Sequence, residues 1–152
     1  MKPSSKYKTW KYSKFLSNKN FYFSRKYVLG FVSKQLLHNS YKTISSWKNY
    51  KRTPLLSLNK LNKDLKLKNI FYKDESKRFN LKSFKALGGA YAVAKVAQGK
   101  KRIVISSATA GNHGRSVAWG AQRLGLKCNI FVSQFVSDTR VKEIEKFGAK
   151  VF

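Results

Sequence analysis

The stretch that decides the fold runs Arg102-Ile103-Val104-Ile105-Ser106-Ser107-Ala108-Thr109-Ala110-Gly111-Asn112-His113-Gly114. Its first five residues are rich in β-branched apolar side chains and predict a strand. The small residues that follow predict a tight loop. After the loop, apolar side chains recur on one face of a predicted helix that ends at Gly125, namely Val117, Ala118, Ala121 and Leu124. A strand that leads through a short loop into an amphipathic helix is the repeating unit of α/β folds.

The same alternation continues on both sides of this stretch. Upstream, Leu87, Ala90, Tyr91, Ala94 and Ala97 lie at helical spacing and predict a helix that ends near Gly99. Downstream, the sequence predicts a strand at Cys128–Val132, a helix with Asp138 as its N-cap and Val141, Ile144 and Phe147 as its buried stripe, and a further strand that begins at Lys150–Phe152. With the short strand predicted at Asn69–Lys73, this pattern predicts an α/β fold whose parallel sheet is built from residues 69–152 and has helices on both faces.

The N-terminal part of the chain is less regular. Residues 1–63 are predicted to form a basic segment, and residues 64–152 the βα units. A helix is predicted near residues 27–38, and Thr53-Pro54-Leu55 is predicted to be extended, because the residue before proline avoids the helical region. Because the last predicted strand begins only at Lys150, we expect the chain to be a fragment, truncated at its C-terminus.

Charge is the unusual global property. The 152 residues carry a formal net charge of +27, and residues 1–63 hold fifteen Lys or Arg and no carboxylate. Such a chain attracts polyanions, so a non-enzymatic nucleic-acid-binding protein is one hypothesis. The alternative is a drift in composition, because no basic helix or nucleic-acid motif organises the charges in the sequence. The lone Cys128 excludes an intramolecular disulfide and is expected to be a buried, reduced thiol, which fits a cytoplasmic protein. The sequence predicts no membrane segment and no metal site.

The loop between the strand and the helix is the first candidate site. It lies at the carboxyl end of a predicted parallel strand and at a helix N-terminus, where open α/β sheets bind their ligands. Small residues let backbone N–H groups approach an anion, and Thr109 and Asn112 add polar side chains. The pattern predicts a carboxylate or phosphate site without choosing between them. A turn made only for tight packing explains the same residues.

Lys85 is the second candidate. It opens a small-residue helix in Ser83-Phe84-Lys85-Ala86-Leu87-Gly88-Gly89-Ala90-Tyr91. A helix N-terminus and desolvation both disfavour the ammonium form, which an amine must lose to form a Schiff base. The chain has 26 lysines, however, and a solvated lysine at a helix start would give the same pattern.

Three motifs together resemble one family of enzymes. Tyr72–Phe79 with Phe84–Ala92 is similar to the lysine region of the diaminopropionate ammonia-lyases, Gly111–Arg115 with Val117–Trp119 is similar to their loop and helix, and Tyr50–Leu55 is close to their Tyr-Arg-Pro-Thr-Pro-Leu. These lyases belong to the fold-type-II pyridoxal-phosphate enzymes, with tryptophan synthase β, threonine dehydratase and cysteine synthase. The resemblance runs from about residue 50 to the end.

The resemblance implies a reaction and a role for each matching residue. Lys85 would hold pyridoxal phosphate and abstract the substrate α-proton, so that ammonia leaves 2,3-diaminopropionate by α,β-elimination. Asn112 would hydrogen-bond the pyridine hydroxyl oxygen. The substrate carboxylate pocket would be lined by Thr109, Ala110, Gly111 and His113. The resemblance also implies that residues 1–63 belong to the larger domain and that a full-length parent is a homodimer.

Ala110 departs from the family pattern. The ammonia-lyases have an aspartate there, which is regarded as a second acid–base group, whereas threonine dehydratases have a Ser-Ala-Gly-Asn-His loop. A threonine dehydratase-like β-eliminase is therefore the alternative within the class. The family's glycine-rich phosphate-binding loop and its partner for the pyridine nitrogen come from a later half of the enzyme.

Overall fold

The structure, a computed structural model, describes Lys26, residues 30–109 and residues 111–152. The chain divides into two compact units, Met1–Lys34 and Gln35–Phe152. The elements described here are α1 (Lys34–Ser45), β1 (Leu55–Ser57), α2 (Asn59–Asp64), β2 (Phe71–Lys73), a 3₁₀ turn (Arg78–Asn80), α3 (Lys85–Ala97), β3 (Val104–Ala108), α4 (Asn112–Arg123), β4 (Lys127–Phe131), α5 (Asp138–Glu145) and β5 (Lys150–Val151).

The three C-terminal strands form a parallel sheet in the order β3-β4-β5. Ile105 of β3 lies opposite Cys128 of β4, and Asn129 lies opposite Lys150 of β5. Strand and helix alternate from α3 to the end of the chain, as the sequence predicts. The α/β class with a parallel sheet is confirmed.

One face of this sheet is covered by helices. Ile105, Cys128 and Ile130 are buried, whereas Val104 and Phe131, at the alternate positions, are about half exposed. Successive strand residues point to opposite faces, so the described residues bury one face of the sheet. The core on that face joins the strands to α3, α4 and α5 through Val93, Val117, Ala118, Ala121, Ile144 and Ala149.

The two helices that carry the candidate site pack closely against each other. A Cβ atom on Gly120 of α4 would stand 2.8 Å from the Ala90 Cα atom of α3 and 3.1 Å from its Cβ. Contacts this short exclude any side chain at residue 120, so the glycine lets the two helix backbones approach. The approach brings the N-terminus of α3 next to that of α4.

A strand does form within the predicted range Asn69–Lys73, but it is not part of the parallel sheet. The prediction that it belongs to that sheet is wrong. Its observed residues, Phe71–Lys73, pair antiparallel with Leu55–Ser57, so that Leu55 lies opposite Lys73. All six residues of this two-stranded sheet are exposed. A strand that buries neither face needs no alternation of polar and apolar side chains. The sequence therefore did not indicate which strand it pairs with.

Two smaller predictions concern helix boundaries. Ser137, with φ −64° and ψ 146°, is the N-cap of α5, so Asp138 is the first helical residue and the predicted cap is wrong by one position. Gly148, which follows this helix, adopts a positive φ of 76°. Of the helix predicted near residues 27–38, residues 27–29 lie outside the described part, while Lys34 and His38 lie in α1, which continues to Ser45. No helix in the described part of the chain is long and apolar enough to cross a membrane.

Candidate active site

The loop after β3 presents the N-terminus of α4 at the edge of the sheet. The Thr109 N–H donates to the Phe131 carbonyl oxygen at 2.9 Å, which extends the β3–β4 ladder into the loop. Gly111 is the N-cap of α4 and offers no side-chain hydrogen bond, and Arg115 N–H donates to its carbonyl oxygen at 3.1 Å. The N–H groups of the first helical turn are therefore free of a side-chain cap, which suits an anionic ligand. Ala110 lies outside the described residues.

Gly114 holds this loop against the core. A Cβ atom there would stand 2.9 Å from Thr109 Cγ2 and 3.1 Å from Ile144 Cδ1. Both distances are too short for a real side chain without displacement of its neighbours. Gly114 therefore fixes the distance between the loop, the first turn of α4 and the buried side of α5.

Lys85 is the first residue of α3, and its backbone is held at both ends. Its N–H donates to Ser83 Oγ at 3.2 Å, and its carbonyl oxygen accepts a hydrogen bond of 2.6 Å from Ser116 Oγ of α4. The Lys85 side chain itself is exposed. The sequence predicts that the amine of Lys85 is shielded from water, but the described helices and strands do not cover this side chain.

A cavity of about 380 Å³ brings the candidate residues together. Its lining includes Lys85 together with Thr109, Gly111, Asn112 and His113, so every described residue among the predicted site residues lies at one cavity. Four residues that the sequence reasoning did not assign also line it: Arg115, Thr139, Arg140 and Glu143. Three of the four carry charge. Arg115 is the last residue of the Gly111–Arg115 motif, whereas no motif covers Thr139, Arg140 and Glu143 of α5.

Arg115 and Glu143 connect the two helices at this cavity. Arg115 Nη2 lies 3.3 Å from Glu143 Oε2, and Arg115 Nη1 donates to the Leu81 carbonyl oxygen at 3.3 Å. Glu143 also pairs with Lys146. The hydrogen bond from Lys146, and to a smaller extent the charges of Lys146 and Arg115, hold the pKa of the Glu143 carboxyl below its usual range. Glu143 is thus ionised at neutral pH and neutralised by its partners, while Lys85 and Arg140 leave the cavity electropositive.

The cavity therefore combines an exposed primary amine, an uncapped helix N-terminus and an excess of positive charge. Residues 47–152 match the sequence pattern of the family described as "Pyridoxal-phosphate dependent enzyme". This match covers more than half of the chain. The chain belongs to the pyridoxal-phosphate-dependent enzymes. The resemblance of its three motifs to this family is confirmed.

Individual members of the family are similar over most of the described part. The diaminopropionate ammonia-lyase of Escherichia coli (strain K12) is 38% identical over an alignment of 119 residues, and the match covers 66% of this chain and 30% of that enzyme. The enzyme of the same name from Salmonella typhimurium is 40% identical over an alignment of 124 residues, and the match covers 67% of this chain and 31% of that enzyme. A biosynthetic L-threonine dehydratase of Haemophilus influenzae is 37% identical over 100 residues, 65% of this chain and 19% of that enzyme.

A solved structure shows the same architecture. The crystal structure of the Escherichia coli diaminopropionate ammonia-lyase in complex with an aminoacrylate–PLP azomethine reaction intermediate is similar with a TM-score of 0.71 and 34% identity. The similarity covers 79% of this chain and 34% of that one. The fold-type-II architecture predicted for this chain is thereby confirmed, and the chain spans about a third of the length of the ammonia-lyases it matches.

Proposed function

We propose that this chain is part of a pyridoxal-phosphate-dependent ammonia-lyase that removes ammonia from 2,3-diaminopropionate by α,β-elimination. The observation that carries the proposal is the shared cavity, in which the amine of Lys85 and the first turn of α4 line one space. Relatives named for this reaction, at 38% and 40% identity, support the choice of substrate. We also propose a small amino-acid substrate, a homodimeric full-length enzyme and a cytoplasmic location.

The residues present fit the cofactor and the substrate at two points. Lys85 offers an exposed primary amine for covalent attachment, and a cavity of about 380 Å³ lies within the range of small-molecule sites. The uncapped N-terminus of α4 offers N–H groups to a carboxylate. In this proposal Asn112 donates to the pyridine hydroxyl oxygen, and the substrate carboxylate lies among Thr109, Ala110, Gly111 and His113.

The chemistry divides between cofactor and chain. Pyridoxal phosphate, when bound, supplies an electron sink that makes the substrate α-proton acidic. Lys85 Nζ would hold the cofactor covalently, and its neutral amine would be the base that accepts the substrate α-proton. The first turn of α4 orients the substrate by its carboxylate, and the Arg115–Glu143 pair holds α4 and α5 together at the cavity.

A threonine dehydratase-like β-elimination is the second candidate, because Ala110 stands where the ammonia-lyases have aspartate. The Haemophilus influenzae dehydratase matches 100 residues, against 124 for the Salmonella typhimurium lyase, which is also the more identical of the two. The diaminopropionate reaction is therefore the one we propose.

The test is a chimera in which residues 47–152 replace the matching segment of the Escherichia coli lyase. We expect it to release ammonia from 2,3-diaminopropionate, and borohydride reduction of the holoenzyme to attach the cofactor at Lys85. Lys85→Ala should abolish both, whereas Lys95→Ala, on the same helix but outside the cavity, should change neither. Release of ammonia from threonine alone would refute the substrate assignment, and attachment at another lysine would refute the role of Lys85.

The isolated chain is expected to behave differently from the chimera. Residues 1–152 leave Lys85 exposed, so water competes with every contact that the cofactor makes there. Borohydride labelling should then be spread over many of the 26 lysines, with no ammonia release. Stoichiometric labelling of Lys85 in the isolated chain, together with turnover, would show that the described residues complete the site by themselves.

A further inference from the structure

A second cleft, separate from the Lys85 cavity, lies beside the aromatic side chains of the chain. Its volume is about 940 Å³, and it shares no residue with the cavity described above. Eleven residues line it, from within residues 48–54 and 77–80 and from Trp119 and Arg123 of α4. The proposed elimination uses none of these residues.

All the charged residues that line this cleft are positive. Five of the eleven residues are Lys or Arg, and none is a carboxylate. Glu75 lies next to it, because it bonds Thr53, but Arg78 engages both of its oxygens at 2.7 and 3.0 Å. The nearby acid is thus already paired, so the cations of the cleft are not neutralised by it.

Aromatic rings form the wall at one end. The Phe79 and Trp119 ring centroids are 4.8 Å apart, and both rings line the cleft. The guanidinium of Arg123 lies 4.2 Å from the Trp47 centroid and 4.9 Å from that of Trp119. Arg123 is therefore held in place by its contacts with the two indole rings, whereas Lys48, Lys51 and Lys77 are exposed and can adjust to a ligand.

The backbone at the cleft is also unusual. The described residues include six non-glycine residues with positive φ, and three of them line this cleft: Asn49 (67°), Phe79 (48°) and Asn80 (60°). Left-handed backbone is uncommon for residues with a Cβ, and it concentrates at ligand sites. Phe79, with its bulky ring, is the most unfavourable of the three.

We propose that this cleft binds a nucleotide unit, with its phosphates against Lys48, Lys51 and Lys77 and its base against Phe79 and Trp119. Phosphate groups match the exposed lysines, and a planar base matches the aromatic rings. The unit comes either from a free nucleotide or from a single strand of nucleic acid, which present the same chemistry. The charges have no organising motif in the sequence, and the fold assembles five of them around one space.

The experiment measures binding to the full 152-residue chain at about 150 mM salt. The probes are ATP, inorganic tripolyphosphate and a labelled oligouridylate of about eight nucleotides. Quenching of the tryptophan fluorescence measures binding of the first two, and fluorescence anisotropy measures binding of the oligouridylate. The test variant carries Lys48→Gln, Lys51→Gln and Lys77→Gln. Its matched control carries Lys95→Gln, Lys100→Gln and Lys101→Gln, three lysines outside the cleft, so both variants lose the same charge. Circular dichroism checks that both remain folded.

We expect the cleft variant to bind ATP or the oligouridylate at least about tenfold more weakly, and the control to change less than about twofold. Weaker binding of ATP by the cleft variant identifies a free nucleotide as the ligand. Weaker binding of the oligouridylate, when the parent chain does not bind ATP, identifies a single strand of nucleic acid. Equal weakening in both variants would overturn the proposal, because it would reflect net charge alone. An unchanged cleft variant, or binding of every probe weaker than about 1 mM, would overturn it as well. Tripolyphosphate that binds as tightly as ATP would overturn the role of the rings.

Discussion

Gly89 of α3 faces Ser116 of α4 so closely that a Cβ atom at residue 89 would stand 2.8 Å from Ser116 Cβ and even closer to its Oγ. Ser116 is fully buried, and its hydroxyl bridges the two helices at the start of α3. The position of Lys85 relative to the loop therefore depends on a contact that leaves room only for a hydrogen atom at residue 89.

This contact predicts opposite effects for two neighbouring glycines. Gly89→Ala should lower the free energy of unfolding by about 1–3 kcal/mol, because the added methyl group forces α3 and α4 apart. Gly88→Ala should raise it by about 0.5–1 kcal/mol, because a Cβ there meets nothing within 4 Å and alanine favours the helix. Urea unfolding of both variants measures the difference. Equal effects of the two substitutions would contradict the close packing.

The hydroxyl of Ser116 should stabilise the fold by about 1–3 kcal/mol. Ser116→Ala removes the donor to the Lys85 carbonyl oxygen and the acceptor for Ala90 N–H at 3.1 Å. Two hydrogen bonds are lost, and each contributes about 0.5–1.5 kcal/mol. Ser106→Ala, at an exposed position of β3, is the control and should change the free energy of unfolding by less than about 0.5 kcal/mol. A stability loss at Ser106 as large as that at Ser116 would sink this explanation.

Glu75 should make stability depend on acid pH. Arg78, which is 5% exposed, donates to Glu75, and this hydrogen bond is the main reason that the pKa of Glu75 lies below its ordinary value of 4.5. Because the pKa is lower in the folded state, the stabilisation is fully present above about pH 4.5 and is lost as the pH falls through the folded-state value.

Substitution of Glu75 measures this contribution. Glu75→Gln should flatten the fall of the free energy of unfolding below about pH 4.5, as measured by urea titrations at several pH values, and lower stability at neutral pH because Arg78 loses its counter-charge. Asp64→Asn, at the exposed end of α2, serves as the control and should leave the acid dependence closer to that of the parent chain. If the Glu75→Gln profile stays as steep as that of the parent chain, another group is responsible.

Cys128 should be a reporter of unfolding. It is 4% exposed, and burial raises the pKa of its thiol above the ordinary value of 9.0. The thiolate is the reactive form, so the folded chain should react with a thiol reagent at pH 7.5 far more slowly than the chain in urea. Because Cys128 is the one cysteine in the sequence, the labelled fraction gives the reaction directly by mass spectrometry. Equal rates with and without urea would show that β4 is not buried in solution.

The sequence predicted the elements whose side chains have one buried face. The helices and strands from Lys85 to Val151 follow the predicted order, and their bounds shift by only a few residues. The strand at Phe71–Lys73 was predicted too, but in the wrong sheet. Its side chains are exposed on both faces, so their order along the chain carries no information about the partner strand.

By itself, the sequence determined the family and the order of the βα units, and it singled out candidate site residues. These inferences depend on local periodicity and on the spacing of short motifs. Only the tertiary structure decided which other residues meet the candidate site residues. Because α4 and α5 pack side by side, the Lys85 cavity is also lined by Arg115, Thr139, Arg140 and Glu143. In the second cleft, the fold brings together cations as far apart in the chain as Lys48 and Arg123. Contacts between distant residues follow from packing at glycines. A Cβ at Gly120 would meet the backbone of α3, and one at Gly114 would meet the side chains of Thr109 and Ile144. Neither close contact leaves a trace in the periodicity of the sequence.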